Sequence, residues 1–255
     1  MIPYYDQDGI TLYLGDCRDV LPAVGLLAVD VVVTDPPYGE TSLEWDRRVD
    51  GWQYLVPRVP MWCFGSLRFF MEDAAAFAAS GWRLAQDIIS ADDIEVVWEK
   101  HNGSNFHADR FKRVHEQVAH FYPTETPWAD VYACPQTTPD ATARTVRRKT
   151  RPTHTGHIEA ASYASTDGGP RLMRSVLRVR STHGYAVHPT QKPVGLLTPL
   201  IDYSCPPGGL VLDPFSGAGS TLLAARLTGR RAIGIEGRED YCEATVERLR
   251  QAVLL

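Results

Sequence analysis

The sequence predicts an α/β fold: a largely parallel sheet with a ligand crevice at its carboxyl edge, interrupted by one loop-rich insertion. Three observations carry that expectation. Short apolar runs suited to buried strands, such as Val29–Thr34 and Gly209–Asp213, alternate with helical stretches. A glycine loop, Gly217-Ala218-Gly219, joins one of these strands to a helix. Segment 124–184 loses the apolar runs and fills with Thr, Pro, Arg, His and Gly.

Taken in order, Ile10–Leu14 reads as a short strand turned by Gly15-Asp16, and Asp19–Leu27 as a short helix with Pro22 in its first turn. Val29–Thr34 is a buried strand stopped by Pro36-Pro37, since proline cannot donate to a sheet ladder. Val59–Phe64 is another strand. The helix Phe69–Ala79 follows it and terminates at Gly81, and Ile94–Trp98 is a further strand. His115–Tyr122 can be helix or strand, and the spacing of Phe111, Val114, Val118 and Phe121 favours a helix. After the insertion come a helix at Val194–Ser204, a strand at Gly209–Asp213, a helix at Ser220–Thr228, a strand at Arg231–Glu236 and a helix at Asp240–Val253. On this reading 1–123 and 185–255 are two halves of one domain, and 124–184 is inserted between them.

The chain of 255 residues is 44% apolar and 22% charged, as expected of an ordinary soluble protein. No apolar run is long enough to cross a membrane, and the first residues carry no signal-peptide pattern, so a cytoplasmic location is expected. Five scattered cysteines with no CxxC pair fit reduced thiols better than disulfides or zinc. His154 and His157 have no matching pair of ligands, so no metal is expected. The net charge of −5 argues against a polyanion until its distribution is read. Between 141 and 189 nine Lys and Arg, among them Arg144, Arg147, Arg148, Lys149 and Arg151, face only Glu159 and Asp167. A basic module on an acidic body suits a polyanion met through one face.

In Asp213-Pro214-Phe215-Ser216-Gly217-Ala218-Gly219-Ser220 a strand enters a glycine loop that opens a helix. The next strand ends in Glu236, about 20 residues on, which is the Rossmann-like layout. Its glycines admit a ligand to the backbone, and its acid accepts from ribose hydroxyls. A dinucleotide fits less well, because Leu222 stands where the third glycine of GxGxxG would be. Asp213 and Phe215 suit a ligand bearing an ammonium and a sulfonium, through ion pairing and cation–π attraction.

Asp35-Pro36-Pro37-Tyr38 follows a buried strand and so lies at the sheet's carboxyl edge. An exocyclic amino group is a poor nucleophile because its lone pair is delocalised into the ring. The Asp35 carboxylate and the Pro36 carbonyl can accept its two protons and turn that lone pair outward. Pro36 and Pro37 leave no competing N–H, and Tyr38 offers a face on which a flipped base could stack.

These segments together resemble the amino-group (N6-adenine/N4-cytosine) DNA methyltransferases of β-type motif order, in which the catalytic segment precedes the cofactor loop. Asp35-Pro36-Pro37-Tyr38 is similar to the family's catalytic motif, and the loop from Asp213 to Ser220 to its cofactor motif. His188-Pro189-Thr190-Gln191-Lys192-Pro193 and Gly15-Asp16-Cys17 are similar to two further cofactor motifs, and the likeness spans 10–40, 95–122 and 185–250. The resemblance implies a Rossmann-like S-adenosylmethionine-dependent methyltransferase fold, circularly permuted, with a small target-recognition insertion. It implies that Asp16 and Cys17 meet the adenine of S-adenosylmethionine and that Asp213, Phe215, Gly217, Gly219 and Ser220 wrap the cofactor. Glu236 would then bind its ribose, and Thr190 and Lys192 would approach its carboxylate.

The resemblance also favours a strand over Glu116–Tyr122, against the periodicity, and takes precedence over it. It places double-stranded DNA on 124–184 through Arg144, Arg147, Arg148, Lys149 and Arg151, and a mobile loop near Asn102 over the target base. A homodimer and a cognate restriction endonuclease are partners the family admits. The Thr34-Asp35 context leans toward adenine, with cytosine N4 as the alternative. A silent DNA-binding relative and an RNA or protein methyltransferase rank below both. A ring-carbon methyltransferase would need a Pro-Cys nucleophile, and Cys134-Pro135 has the reverse order.

Overall fold

A computed structural model describes residues 1–25, 28–85, 96–99, 115–148, 161–179 and 191–251. The polar edge strand β1 (Tyr5–Gln7) is followed by β2 (Ile10–Leu14), β3 (Val31–Thr34), β4 (Met61–Gly65), β5 (Trp82–Leu84), β6 (Val96–Glu99) and β7 (His115–Pro123), where β-branched, aromatic and aliphatic residues favour strands. Strands β8 (Thr137–Thr138), β9 (Arg144–Arg148), β10 (Ala161–Ser165), β11 (Arg171–Leu172) and β12 (Val176–Arg178) follow, and β13 (Leu210–Asp213) and β14 (Arg231–Glu236) come last. The helices are α1 (Cys17–Ala23), α2 (Leu67–Ala79), α3 (Val194–Ser204), α4 (Ser220–Leu227) and α5 (Glu239–Gln251).

Among the described residues ten strands form one sheet in the order β1-β2-β14-β13-β3-β4-β7-β6-β12, with β5 also on β7. Neighbours from β2 through β4 run parallel. Strand β7 lies antiparallel to both β4 and β6. Side chains alternate across the sheet. Val31, Val33, Trp62, Phe64 and Val211 pack with Leu196, Leu200 and Ile201 of α3, Leu222 of α4 and Leu249 of α5. Val32, Met61, Cys63 and Leu212 pack on the other side with Val20 and Leu21 of α1 and Phe69 and Phe77 of α2. Both faces are therefore covered, which explains why the central strands read as continuous apolar runs.

Helix α3 and strand β14 have the bounds the periodicity predicts. Strand β2 also matches, at Ile10–Leu14, while other elements differ. Helix α1 starts two residues earlier than expected, because the Asp16 carboxylate caps it by accepting from the Arg18 amide at 2.9 Å. It ends at Ala23, so Pro22 falls in the last turn rather than the first. The segment His115–Pro123 is a strand, as the resemblance implies, and not the helix its spacing favours. As an interior strand it buries both sides: Val118 joins the α3 face, and Ala119 and Phe121 join the α2 face. Within 124–184, β9 pairs with β10 and β8 with β11 as two antiparallel ribbons, whereas β12 runs beside β6 in the main sheet.

Leu212 is fully buried at the centre of the sheet, between β3 and β14. We expect Leu212→Ala to lower the unfolding free energy by about 2–5 kcal/mol. The check is a lower urea midpoint at unchanged denaturant slope.

Candidate active site

Strands β2, β14, β13, β3 and β4 point the same way, so their carboxyl ends share one edge. Asp35 follows β3, Asp213 ends β13, Glu236 ends β14, and Gly15-Asp16 follows β2. The register aligns Leu212 with Val32 and Glu236 with Leu14. Residues distant in sequence thus converge where ligands bind in open α/β sheets.

The glycine loop is held in shape by its surroundings. Gly217 and Gly219 both take left-handed backbone, with φ of 51° and 70°. A Cβ on Gly219 would collide with the side chain of Thr245, whose hydroxyl donates to the Gly217 carbonyl at 3.1 Å. Ser220 is the first residue of α4 and is buried. Leu222, in the place of a third glycine, packs against Gly234, where a Cβ would lie 2.8 Å from Leu222 Cδ1. The close approach of helix to strand is therefore made by a glycine on the strand.

Two acids line the loop. Glu236 accepts from the Gly217 amide (Oε2, 2.9 Å) and the Arg238 amide (Oε1, 2.9 Å). Burial pushes its pKa up to about 7, against the pull of those two amides. Asp213 is buried, accepts from the Phe215 amide at 3.1 Å, and is raised by burial to about 6. Phe215 meets Trp52 edge to face, with centroids 5.6 Å apart.

Asp35 opens the Asp35-Pro36-Pro37-Tyr38 segment. Tyr38 donates its hydroxyl to Oδ1, and the Lys192 ammonium lies 2.5 Å from Oδ2. Lys192 also reaches Glu116 Oε2 at 3.3 Å, and its Nζ lies 5.1 Å from the Phe64 ring centroid. Burial raises the Asp35 carboxyl; Lys192 counters that, and Glu116 adds to it. Burial would lower Lys192, but Asp35 and Glu116 together hold it above the ordinary lysine range. Tyr38 is raised well above the ordinary phenol range by burial, so it stays a donor. Its ring lies 5.3 Å from that of Phe69.

The loop after Tyr38 is braced from both ends. Asp46 accepts from the Gly39 amide at 2.8 Å and the Thr41 amide at 2.7 Å. Arg48 donates to the Tyr38 carbonyl at 2.9 Å and pairs with Asp73 and Glu72.

Several residues singled out in the sequence have partners within the protein. The Cys17 thiol lies in the core, with its pKa pushed to about 12 by burial. The Asp16 carboxylate already caps α1 and pairs with Arg18 at 2.6 Å. Lys192, expected near the cofactor's carboxylate, is paired with Asp35. On the ribbon, Arg144 is exposed and donates to Tyr163 Oη at 3.2 Å. Arg147 and Arg148 pair in the backbone with Ser162 and Ala161. Lys149, Arg151, Thr190 and the stretch around Asn102 lie outside the described residues. Glu116, Phe64, Asp46 and Arg48 join the site without having been singled out. Their roles come from pairings between distant strands and loops that no local pattern announces.

The sequence model of the DNA methylase family (N6/N4 methyltransferases) matches residues 29–247. The chain belongs to the N6/N4 DNA methylase family. It is 29% identical to YubD of Escherichia coli (strain K12) over 243 residues, covering 92% of this chain and 88% of YubD. It is 25% identical to the type II methyltransferase M.HinfI of Haemophilus influenzae, over 94% of this chain and 68% of that protein. Among solved structures, the M1.HpyAVI–SAM complex aligns with a TM-score of 0.62 at 23% identity, over 94% of this chain and 99% of that one. The cytosine-N4-specific PvuII DNA methyltransferase aligns with a TM-score of 0.62 at 17% identity, over 96% and 88%. The Rossmann-like methyltransferase fold expected from the motifs is the fold of this family member. Among the described residues no helix is long and apolar enough to cross a membrane.

The raised Glu236 carboxyl generates a prediction. Folding favours its protonated form, so its contribution to stability is full below its ordinary value of 4.5 and is lost as pH rises through about 7. In the protein alone, Glu236→Gln should gain on wild type in thermal stability between about pH 5 and about pH 8. Parallel melting curves at both pH values would contradict the burial described here.

Proposed function

We propose that this DNA methyltransferase uses S-adenosylmethionine to methylate N6 of adenine at a specific site in double-stranded DNA. The observation that carries the reading is the placement of the Asp35 carboxylate and the glycine loop with Glu236 at the ends of neighbouring parallel strands. The loop fits the cofactor. Its left-handed glycines bring bare backbone to the crevice, and a Cβ on Gly219 would clash. Glu236 is an acceptor suited to ribose hydroxyls, and Phe215 and Asp213 suit the cationic end.

When bound, S-adenosylmethionine supplies an electrophilic methyl group whose departure leaves a neutral thioether. The protein's own task is to position and polarise the amino group. Asp35 and the Pro36 carbonyl accept its two protons and direct the nitrogen lone pair outward. Asp35 then takes the proton that nitrogen sheds once methylated. Tyr38 steadies Asp35 through its hydroxyl and borders the base. Adenine is favoured by the Thr34-Asp35 context; the same two acceptors would serve a cytosine amino group. The ribbon of β9 and β10, with Arg144, Arg147 and Arg148 and the adjoining Lys149 and Arg151, is our choice for DNA contact, through phosphates and guanine edges.

Asp35→Asn should slow methyl transfer by on the order of 10²-fold or more while cofactor binding persists. A near wild-type rate would overturn the role of Asp35. Glu236→Ala should instead raise the cofactor dissociation constant, and an unchanged constant would remove Glu236 from the site. Mass spectrometry of nucleosides from methylated DNA decides the base. We expect N6-methyldeoxyadenosine; N4-methyldeoxycytidine would replace adenine by cytosine.

A further inference from the structure

Lys192 is only 7% exposed in its side chain, yet it lies between two carboxylates, 2.5 Å from Asp35 and 3.3 Å from Glu116. A buried ammonium persists only when paired, and removing a partner strands the charge that remains. Here one ammonium serves two acids, with the shorter contact to Asp35. The Tyr38 hydroxyl occupies the other Asp35 oxygen. Both oxygens of the carboxylate that would receive a target amino group are therefore engaged, and an incoming N–H must displace a donor. Lys192 is the donor with a second acceptor already within reach.

We propose that Lys192 and Glu116 act as a switchable counter-ion for Asp35. Lys192 keeps Asp35 ionised until the target amino group arrives, then yields Oδ2 to it and settles on Glu116. This rests on reading Asp35 as the residue that holds the amino group. Lys192 and Glu116 are positioning residues in this scheme.

The groups facing Asp35 support that division of labour. They are Tyr38 on its own loop, Lys192 from the segment before α3, Glu116 on β7, Cys63 on β4 and Asp213 on β13. Burial raises both Tyr38 and Cys63, which stay neutral. Lys192 is the cation in this set, and Glu116 is an anion that opposes ionisation of Asp35.

The two partners should therefore shift Asp35 in opposite directions, which a merely structural role would not do. In the protein alone, ¹³C NMR of the carboxyl groups follows Asp35, assigned by its loss in Asp35→Asn. In parallel, single-turnover methyl transfer to DNA is measured against pH. Lys192→Met should move the Asp35 midpoint and the acid limb of the rate to higher pH. Glu116→Gln should move both to lower pH, and slow transfer at neutral pH by up to roughly 10²-fold, because the displaced ammonium has no second acceptor. Lys192→Arg, which keeps the charge, should stay near the wild-type midpoint. Unmoved midpoints, shifts in one common direction, or full-rate transfer by Glu116→Gln at neutral pH would overturn the proposal. Should Lys192→Met fail to fold, Glu116→Gln alone decides. A wild-type protein that transfers no methyl group would overturn the reading of the site, and this proposal with it. Wild-type activity with unmoved midpoints would overturn the proposal alone.

Discussion

The parallel pairing of β3 with β13 is the contact on which the site depends. It joins the first half of the chain to the last and sets Val31 against Val211 and Val32 against Leu212. Asp35 and Asp213 then emerge from neighbouring strand ends on the same edge. Helices α1 and α2 cover one face of the sheet and α3, α4 and α5 the other. Both faces are packed, so slippage by one residue would exchange Val31 and Val33 with Val32 between two differently shaped helix layers and would carry Asp35 away from Asp213.

Among the described residues that edge gathers more acids than cations. Asp35, Asp213, Glu236 and Glu116 are all largely buried, and Lys192 is the cation among them. Backbone amides from Gly217, Arg238 and Phe215 offset part of the cost, yet Asp213 and Glu236 remain raised. On the proposed reading the imbalance is functional. A cofactor with an ammonium and a sulfonium supplies the missing positive charge, and its hydroxyls satisfy Glu236. The protein accepts strained electrostatics where a ligand is to relieve them, as binding sites commonly do.

Much of this was legible in the sequence because the signals are local. A strand buried on both faces must be a short apolar run, and a backbone that must approach a ligand needs glycine, so β3, β13, β14 and the loop after β13 can be read directly. What could not be read depends on distant partners. The spacing at 115–122 imitates a helix, and only the presence of β4 and β6 on either side makes it a strand. Leu222 looks like a departure from a nucleotide-binding pattern until Gly234 opposite it is seen. Cys17 belongs to a motif but its thiol belongs to the core, since the first turn of α1 points it inward. Lys192 shares a motif with cofactor residues, yet its geometry is set by Asp35 and by Glu116 on β7. The basic composition of the insertion pointed to a polyanion without revealing that Arg144, Arg147 and Arg148 lie on one strand of a two-stranded ribbon.

The central claim is that the two halves of the chain build a single site across the β3–β13 pair. The most direct test is a crystal structure of the protein with S-adenosylmethionine. The account predicts the ribose hydroxyls on Glu236, the ligand lying along Gly217 and Gly219, and its sulfonium end turned toward Asp35. A cofactor seated away from Glu236, or with its sulfonium end directed away from Asp35, would contradict it.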